Sequence, residues 1–178
     1  MKSKRHEDFL AQGPGAVKSG PLRFAVDCML GRLARWLRIL GHDVLYFRSV
    51  EDADLVELSV AEGRTLLTRD TRLIQRRAAR RALLIRSDRI EEQLREMVAR
   101  YGSALLAQPV CRRCLECNEP IVPAERSTLR ERIPPYVYAT QPSFMTCPSC
   151  GRIYWKATHV EDMIRRLRRV LEQTSLQE

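Results

Sequence analysis

"TLLTRDTRLIQRRAARRALLI", residues 65–85, is the stretch whose reading decides the fold. Two short apolar runs, Leu66-Leu67 and Ala82 to Ile85, flank a segment with one acid, Asp70, followed by five arginines. Residues 65–68 and 82–85 read as short buried strands, and 71–80 as the helix between them. Short apolar runs separated by a helical stretch form a β-α-β unit, and such units build parallel sheets.

The alternation continues upstream and downstream. "LRFAV" (22–26) reads as a first strand ending at Asp27. In "MLGRLARWLRILG" (29–41), Leu30, Leu33, Ala34 and Leu37 fall at i, i+3, i+4 and i+7, one face of a helix with Gly41 as its C-terminal cap. "VLYF" (44–47) is a second strand, and "DLVELSVAEG" (54–63) a short helix opened by acids and stopped by Gly63. "SDRIEEQLREMVARYG" (87–102) is a helix with Ser87 or Asp88 at its N-cap and a closing Gly102. The fold class expected for 22–102 is therefore α/β, a parallel sheet flanked by helices. Residues 1–21 carry glycine and proline without apolar periodicity and read as a flexible extension, 103–113 as a linker, and 114–178 as a cysteine-rich module ending in a basic helix near 159–173.

Ligands bind open parallel sheets beyond the carboxyl ends of the strands. Asp27 follows the first strand, Asp70 lies two residues past the third, with Arg69 between, and Asp88 three residues past the fourth. If the strand order is 2-1-3-4, Asp27 and Asp70 sit on neighbouring strands, and Asp54 at the start of the intervening helix leans toward the same edge. Carboxylates gathered in a cleft repel one another, and Mg²⁺ or Mn²⁺ relieves that repulsion through oxygen ligands. Any one of these aspartates also reads as an ordinary helix N-cap.

Cysteines Cys28, Cys111, Cys114, Cys117, Cys147 and Cys150 crowd the C-terminal module, Cys28 excepted. "CLEC" (114–117) and "CPSC" (147–150) are two C-x-x-C pairs separated by 29 residues, a donor set for one tetrahedral Zn²⁺ with a structural role. "CRRC" (111–114) has the same spacing, so Cys111 competes for the first pair. Cys28 reads as a small buried residue. Tyr136, Tyr138, Tyr154 and Trp155 lie among basic residues; they suit stacking on unpaired bases and equally suit the core of a small module. His42 and His159 read as packing or capping residues, His159 with a weaker claim as a general base.

Net charge is +9, from 31 Lys and Arg against 22 Asp and Glu. Arginine dominates, and its planar fork suits phosphate, so an anionic polymer is the expected partner. No segment approaches the roughly 18 apolar residues of a membrane span, and no apolar stretch of signal-peptide type follows the basic N-terminus. A reduced, cytoplasmic setting is expected.

"VDCMLGRLARWLRILGHD", Asp54, "EGRTLLTRD", "PPYVY" and "CPSCGRIYW", taken in that order over roughly 22–165, resemble the Mut7-C family of PIN-like ribonucleases. The resemblance implies a compact PIN-like sheet domain with an acidic metal site, fused to a C-terminal zinc ribbon. By position it implies that Asp27, Asp54, Asp70 and Asp88 are catalytic, with Asp27 and Asp70 on Mg²⁺ or Mn²⁺. It places zinc on Cys114, Cys117, Cys147 and Cys150, because the family carries CxxCN at the first pair.

The leading expectation is a metal-dependent endoribonuclease that grips RNA through Arg32, Arg35, Arg69, Arg76 and Arg77. The alternative is a non-catalytic RNA- or ribosome-binding zinc protein on a PIN-like scaffold. PIN-type domains often pair, so a homodimer is among the expectations. A haloacid-type phosphohydrolase needs a second aspartate two residues after the first, and position 29 is Met. A receiver-like domain needs paired acids ahead of the first-strand aspartate and a lysine on a late strand, and neither is present.

Overall fold

Four parallel strands stand side by side in the order β2-β1-β3-β4 in the computed structural model, which describes residues 20–155 and 158–175. They are β1 (Arg23–Val26), β2 (Asp43–Tyr46), β3 (Thr65–Thr68) and β4 (Ala82–Leu84). The order is the one that makes β1 and β3 neighbours, with Val26 opposite Leu67. Residues 1–19, which make up all but the last two residues of the expected N-terminal extension, and the side chain of His159 lie outside the described residues.

The period-two alternation of strand side chains assigns the two faces of the sheet. Phe24 and Val26 of β1 point to one face, where they pack with Leu30, Leu33 and Leu37 of the first helical segment and with Leu94 and Met97. Ala25 and Leu66 point to the other face and pack with Leu55, Val56 and Leu73. Helices α1 (Gly31–Ile39) and α4 (Ile90–Tyr101) thus cover the first face, and α2 (Asp52–Ala61) and α3 (Thr71–Gln75) the second. Both faces are buried, which is why these strands read as apolar runs rather than alternating ones.

Three boundaries differ from expectation for local reasons. The first helix is entered through a 3-10 turn at Cys28–Leu30. Its end matches the sequence signal: Gly41 adopts φ +89°, and an added Cβ would lie 2.7 Å from the Pro109 carbonyl oxygen. α3 stops at Gln75 instead of running to 80. The chain leaves it through tight turns, with the Ala79 amide bonded to the Arg76 carbonyl at 2.9 Å and the Ala82 amide to the Ala79 carbonyl at 3.2 Å, and enters β4 directly. α4 starts at Ile90, its N-cap is Arg89 with no capping side chain, and Glu96 accepts from the amides of Arg86 and Ser87 instead.

Beyond α4, Leu105 is fully buried in the main core. The C-terminal module holds a small antiparallel sheet, β5 (Val122–Pro123), β6 (Met145–Thr146) and β7 (Ile153–Tyr154), with α5 (Pro135–Thr140) in the insert. The last helix, α6 (Thr158–Ser175), lays Ile164 and Leu167 into the same core as α4. Burial of each such side chain contributes roughly 1.5–3 kcal/mol.

The first cysteine knuckle is fastened to the edge strand β2. Asn118 holds φ +67°, its Oδ1 accepts from the Val44 amide at 3.0 Å, and its Nδ2 donates to Asp43 Oδ1 at 2.7 Å. Buried Arg38 donates to the Val44 carbonyl and, across the gap, to the carbonyls of Leu115 and Glu116 at 2.8 and 2.9 Å. An edge strand with unpaired polar groups invites foreign strands, and here the knuckle occupies that edge.

Candidate acidic edge and four-cysteine centre

Asp27 leaves β1 at the carboxyl edge of the sheet, with its amide bonded to the Leu67 carbonyl of β3 at 3.0 Å. That bond carries the strand ladder one residue further and fixes the side chain between β1 and β3. Asp27 is only 7% exposed, yet ionisable groups are seldom buried without partners. Its partner is Thr68, fully buried at the end of β3, whose hydroxyl donates to Asp27 Oδ2 at 2.6 Å. The same Thr68 oxygen accepts from the Asp70 amide at 2.9 Å. Asp27 and Asp70 are therefore linked through one threonine. Asp27 also caps the 3-10 turn through Met29 N, and Asp70 caps α3 by accepting from Arg72 N at 2.7 Å.

Asp54 and Asp88 are exposed, and neither joins the Asp27–Thr68–Asp70 chain. Asp52, two residues before Asp54, is exposed as well; it pairs with Arg76 at 3.6 Å and its charge reaches Cys28. Cys28 is exposed rather than buried as expected, because the 3-10 turn swings it outward. The Asp27 carboxylate beside it pushes its thiol pKa up, chiefly by hydrogen bonding, with burial adding to the effect. Arg32, Arg35, Arg76 and Arg77 are exposed, and Arg69 is half-buried between β3 and Asp70.

Among the described residues, one group of three or more acidic, histidine or cysteine side chains brings its donor atoms within 4.8 Å of one another: Cys114, Cys117, Cys147 and Cys150. Cys117 Sγ lies 3.3 Å from Cys147 Sγ, and Cys114 Sγ lies 3.6 Å from Cys150 Sγ. A tetrahedron of sulfurs around Zn²⁺ has edges of about 3.8 Å, so donor type and dimensions both fit. Cys111 is outside the group and exposed, which resolves the rival pairing. Burial raises the Cys114 pKa, but the Cys117 amide, the Tyr154 hydroxyl and the Glu116 amide outweigh it and lower the thiol to about 6. Cys117 is pushed up to about 12 by desolvation and by the neighbouring sulfurs. Thiols this close cannot all ionise unaided, and a bound dication removes that conflict.

Tyr154 is the residue that composition alone could not place. Its hydroxyl lies 3.0 Å from Cys114 Sγ, and it accepts from the Leu115 amide at 3.1 Å. With its proton directed to the sulfur, it steadies a metal-binding thiolate. Tyr138 stacks on Phe144 at 6.5 Å, with the Arg126 guanidinium 4.5 Å from its ring centre. Tyr138 and Tyr154 are thus core residues of the module, whereas Tyr136 and Trp155 stay 77% and 40% exposed.

Several contributors carry no spacing signature. Thr68 looks like any strand residue, and Arg38 like any helix-surface arginine. Asn118 left one trace, its position directly after the first C-x-x-C pair.

The fold and site define a class: an α/β protein with carboxylates at the carboxyl edge of a parallel sheet, joined to a four-cysteine zinc-ribbon module. The chain belongs to the Mut7-C RNAse domain family, whose model matches residues 22–167. No curated protein and no solved structure matches it.

Proposed function

We propose that this protein is a metal-dependent endoribonuclease that hydrolyses RNA phosphodiester bonds at the carboxyl edge of the β2-β1-β3-β4 sheet. The supporting observation is the pair Asp27 and Asp70, tied through Thr68 on adjacent strand ends in a chain of the Mut7-C RNAse domain family. Carboxylate oxygens are the donors a hard divalent cation prefers. Asp27 and Asp70 would hold Mg²⁺ or Mn²⁺, with Asp54 and Asp88 acting from the solvent side. The ion supplies a Lewis acid for the phosphate and a water of lowered pKa. Thr68 fixes the rotamer of Asp27, and Arg32, Arg35, Arg69, Arg76 and Arg77 hold the phosphates on either side. Zinc on the four cysteines has no open position and serves folding. A reduced compartment such as the cytoplasm keeps those thiols competent.

One observation favours a second reading, a non-catalytic RNA-binding protein. Asp27 and Asp70 both serve as helix caps, while Asp54 and Asp88 face solvent. The zinc-loaded protein is incubated with labelled single-stranded RNA, with Mn²⁺ added or omitted, beside Asp27→Asn and Asp70→Asn. The nuclease reading expects internal cleavage that requires Mn²⁺ and is lost in both variants. Cleavage that persists in both variants sinks the site, and binding without any cleavage selects the second reading.

A further inference from the structure

A cleft of about 390 Å³ opens between α1 and the cysteine module, and none of the four aspartates lines it. It lies within the range of small-ligand sites, about 300–1,000 Å³. Arg35 of α1 lines one side, and Arg132, Arg152, Tyr154 and Trp155 line the other. Glu116 is the one carboxylate in the lining, set against three guanidinium groups. Arg35 and Arg152 are exposed and form no ion pair among the described residues, while Arg132 spends Nη2 on the Gly151 carbonyl at 2.9 Å. Trp155 is 40% exposed although a buried tryptophan would serve a small core better. Tyr154, which also lines the cleft, is anchored to Cys114 and Leu115, so the cleft wall is tied to the cysteine centre.

We propose that this cleft is a subsite for one unpaired nucleotide of single-stranded RNA, with the base stacked on the Trp155 indole and the flanking phosphates held by Arg35, Arg132 and Arg152. An aromatic face accepts any base, and arginine forks around it neutralise the backbone on either side. A paired base cannot present its face, so the subsite selects single strands. α1 connects the two regions: the turn after Asp27 opens into the helix that carries Arg35. A strand seated on Trp155 is thereby directed along α1 toward the acidic edge. The inference rests on RNA as the partner and is independent of whether the chain cleaves it.

The test is binding of a short labelled oligoadenylate, and of a duplex of the same length, to the zinc-loaded full chain without Mn²⁺. Trp155→Ala should weaken oligoadenylate binding by about tenfold or more, and Trp155→Phe should restore most of the loss. Arg35→Gln and Arg152→Gln should each lower the slope of log affinity against log salt by about one. In a Trp36→Phe background, the remaining indole emission should be quenched by oligoadenylate and not by the duplex. Unchanged affinity in Trp155→Ala overturns the subsite. If that variant loses zinc, the emission experiment decides, and absence of quenching overturns the subsite instead. Failure of the nuclease reading is seen separately, as normal binding and quenching with no cleavage when Mn²⁺ is restored.

Discussion

The hydroxyl of Thr68 donates to the Asp27 carboxylate at 2.6 Å, and this contact binds the carboxyl ends of β1 and β3 into one unit. The acceptor is 7% exposed and the donor fully buried, so water can replace little of this bond. Thr68→Val keeps the shape and removes both this bond and the one the Thr68 oxygen accepts from the Asp70 amide. A hydrogen bond to a charged group contributes about 1.5–3 kcal/mol, and an unsatisfied buried carboxylate adds to the cost. Urea unfolding should show a loss of about 2 kcal/mol, and RNA cleavage should fall at least tenfold because Asp27 is no longer held. A variant as stable and as active as the wild type shows that the contact is incidental.

Chelation of zinc should be felt in the sheet as well as in the ribbon. The Val44 amide bonds to Asn118, and Arg38 clamps the carbonyls of Leu115 and Glu116. Once the knuckle loosens, amide exchange at Val44 should accelerate along with that of the ribbon, while amides between β1 and β3 stay protected. Equal protection of Val44 with and without chelator contradicts the coupling.

Tyr154→Phe removes the hydroxyl that contacts Cys114 Sγ and leaves the ring in the ribbon core. Loss of such a supporting contact typically lowers metal affinity about 10- to 100-fold. Competition for zinc against a coloured chelator should show a drop of about tenfold, with little change in the fold at saturating metal.

His42 gives the stability a pH dependence with a definite sign. Its Nδ1 accepts from the Leu22 amide at 3.3 Å, so Nε2 carries the proton and donates to the Leu105 carbonyl at 2.9 Å. Burial lowers its pKa below 6.5, against the opposing pull of the Leu105 carbonyl. The folded state keeps the ring neutral while the unfolded chain takes up a proton below 6.5. Stability is therefore fully present above that pH and is lost as pH falls toward the folded value. Unfolding series from pH 8 to about 5 should show a steeper decline for wild type than for His42→Gln, which does not titrate. Parallel curves rule out His42 as the source.

The chain's own residue order determined which segments are strands, because runs such as Leu66-Leu67 and Phe24 to Val26 are buried on both faces and need no partner pattern to be read. It determined the aspartates at the strand ends and the two C-x-x-C pairs, since those chemistries depend on residue type and local spacing. Tertiary structure decided what those groups touch. Only strand order puts Thr68 between Asp27 and Asp70, only docking of the knuckle on β2 brings Asn118 to Val44 and Asp43 and Arg38 to the carbonyls of Leu115 and Glu116, and only closure of the cysteine module brings Tyr154 to Cys114. It also gave adjacent residues different partners: Tyr154 and Trp155 both line the open cleft, but only Tyr154 turns its hydroxyl to the Cys114 sulfur. Contacts between residues far apart in sequence leave no period or spacing behind, so burial and hydrogen bonding across the fold had to sort them.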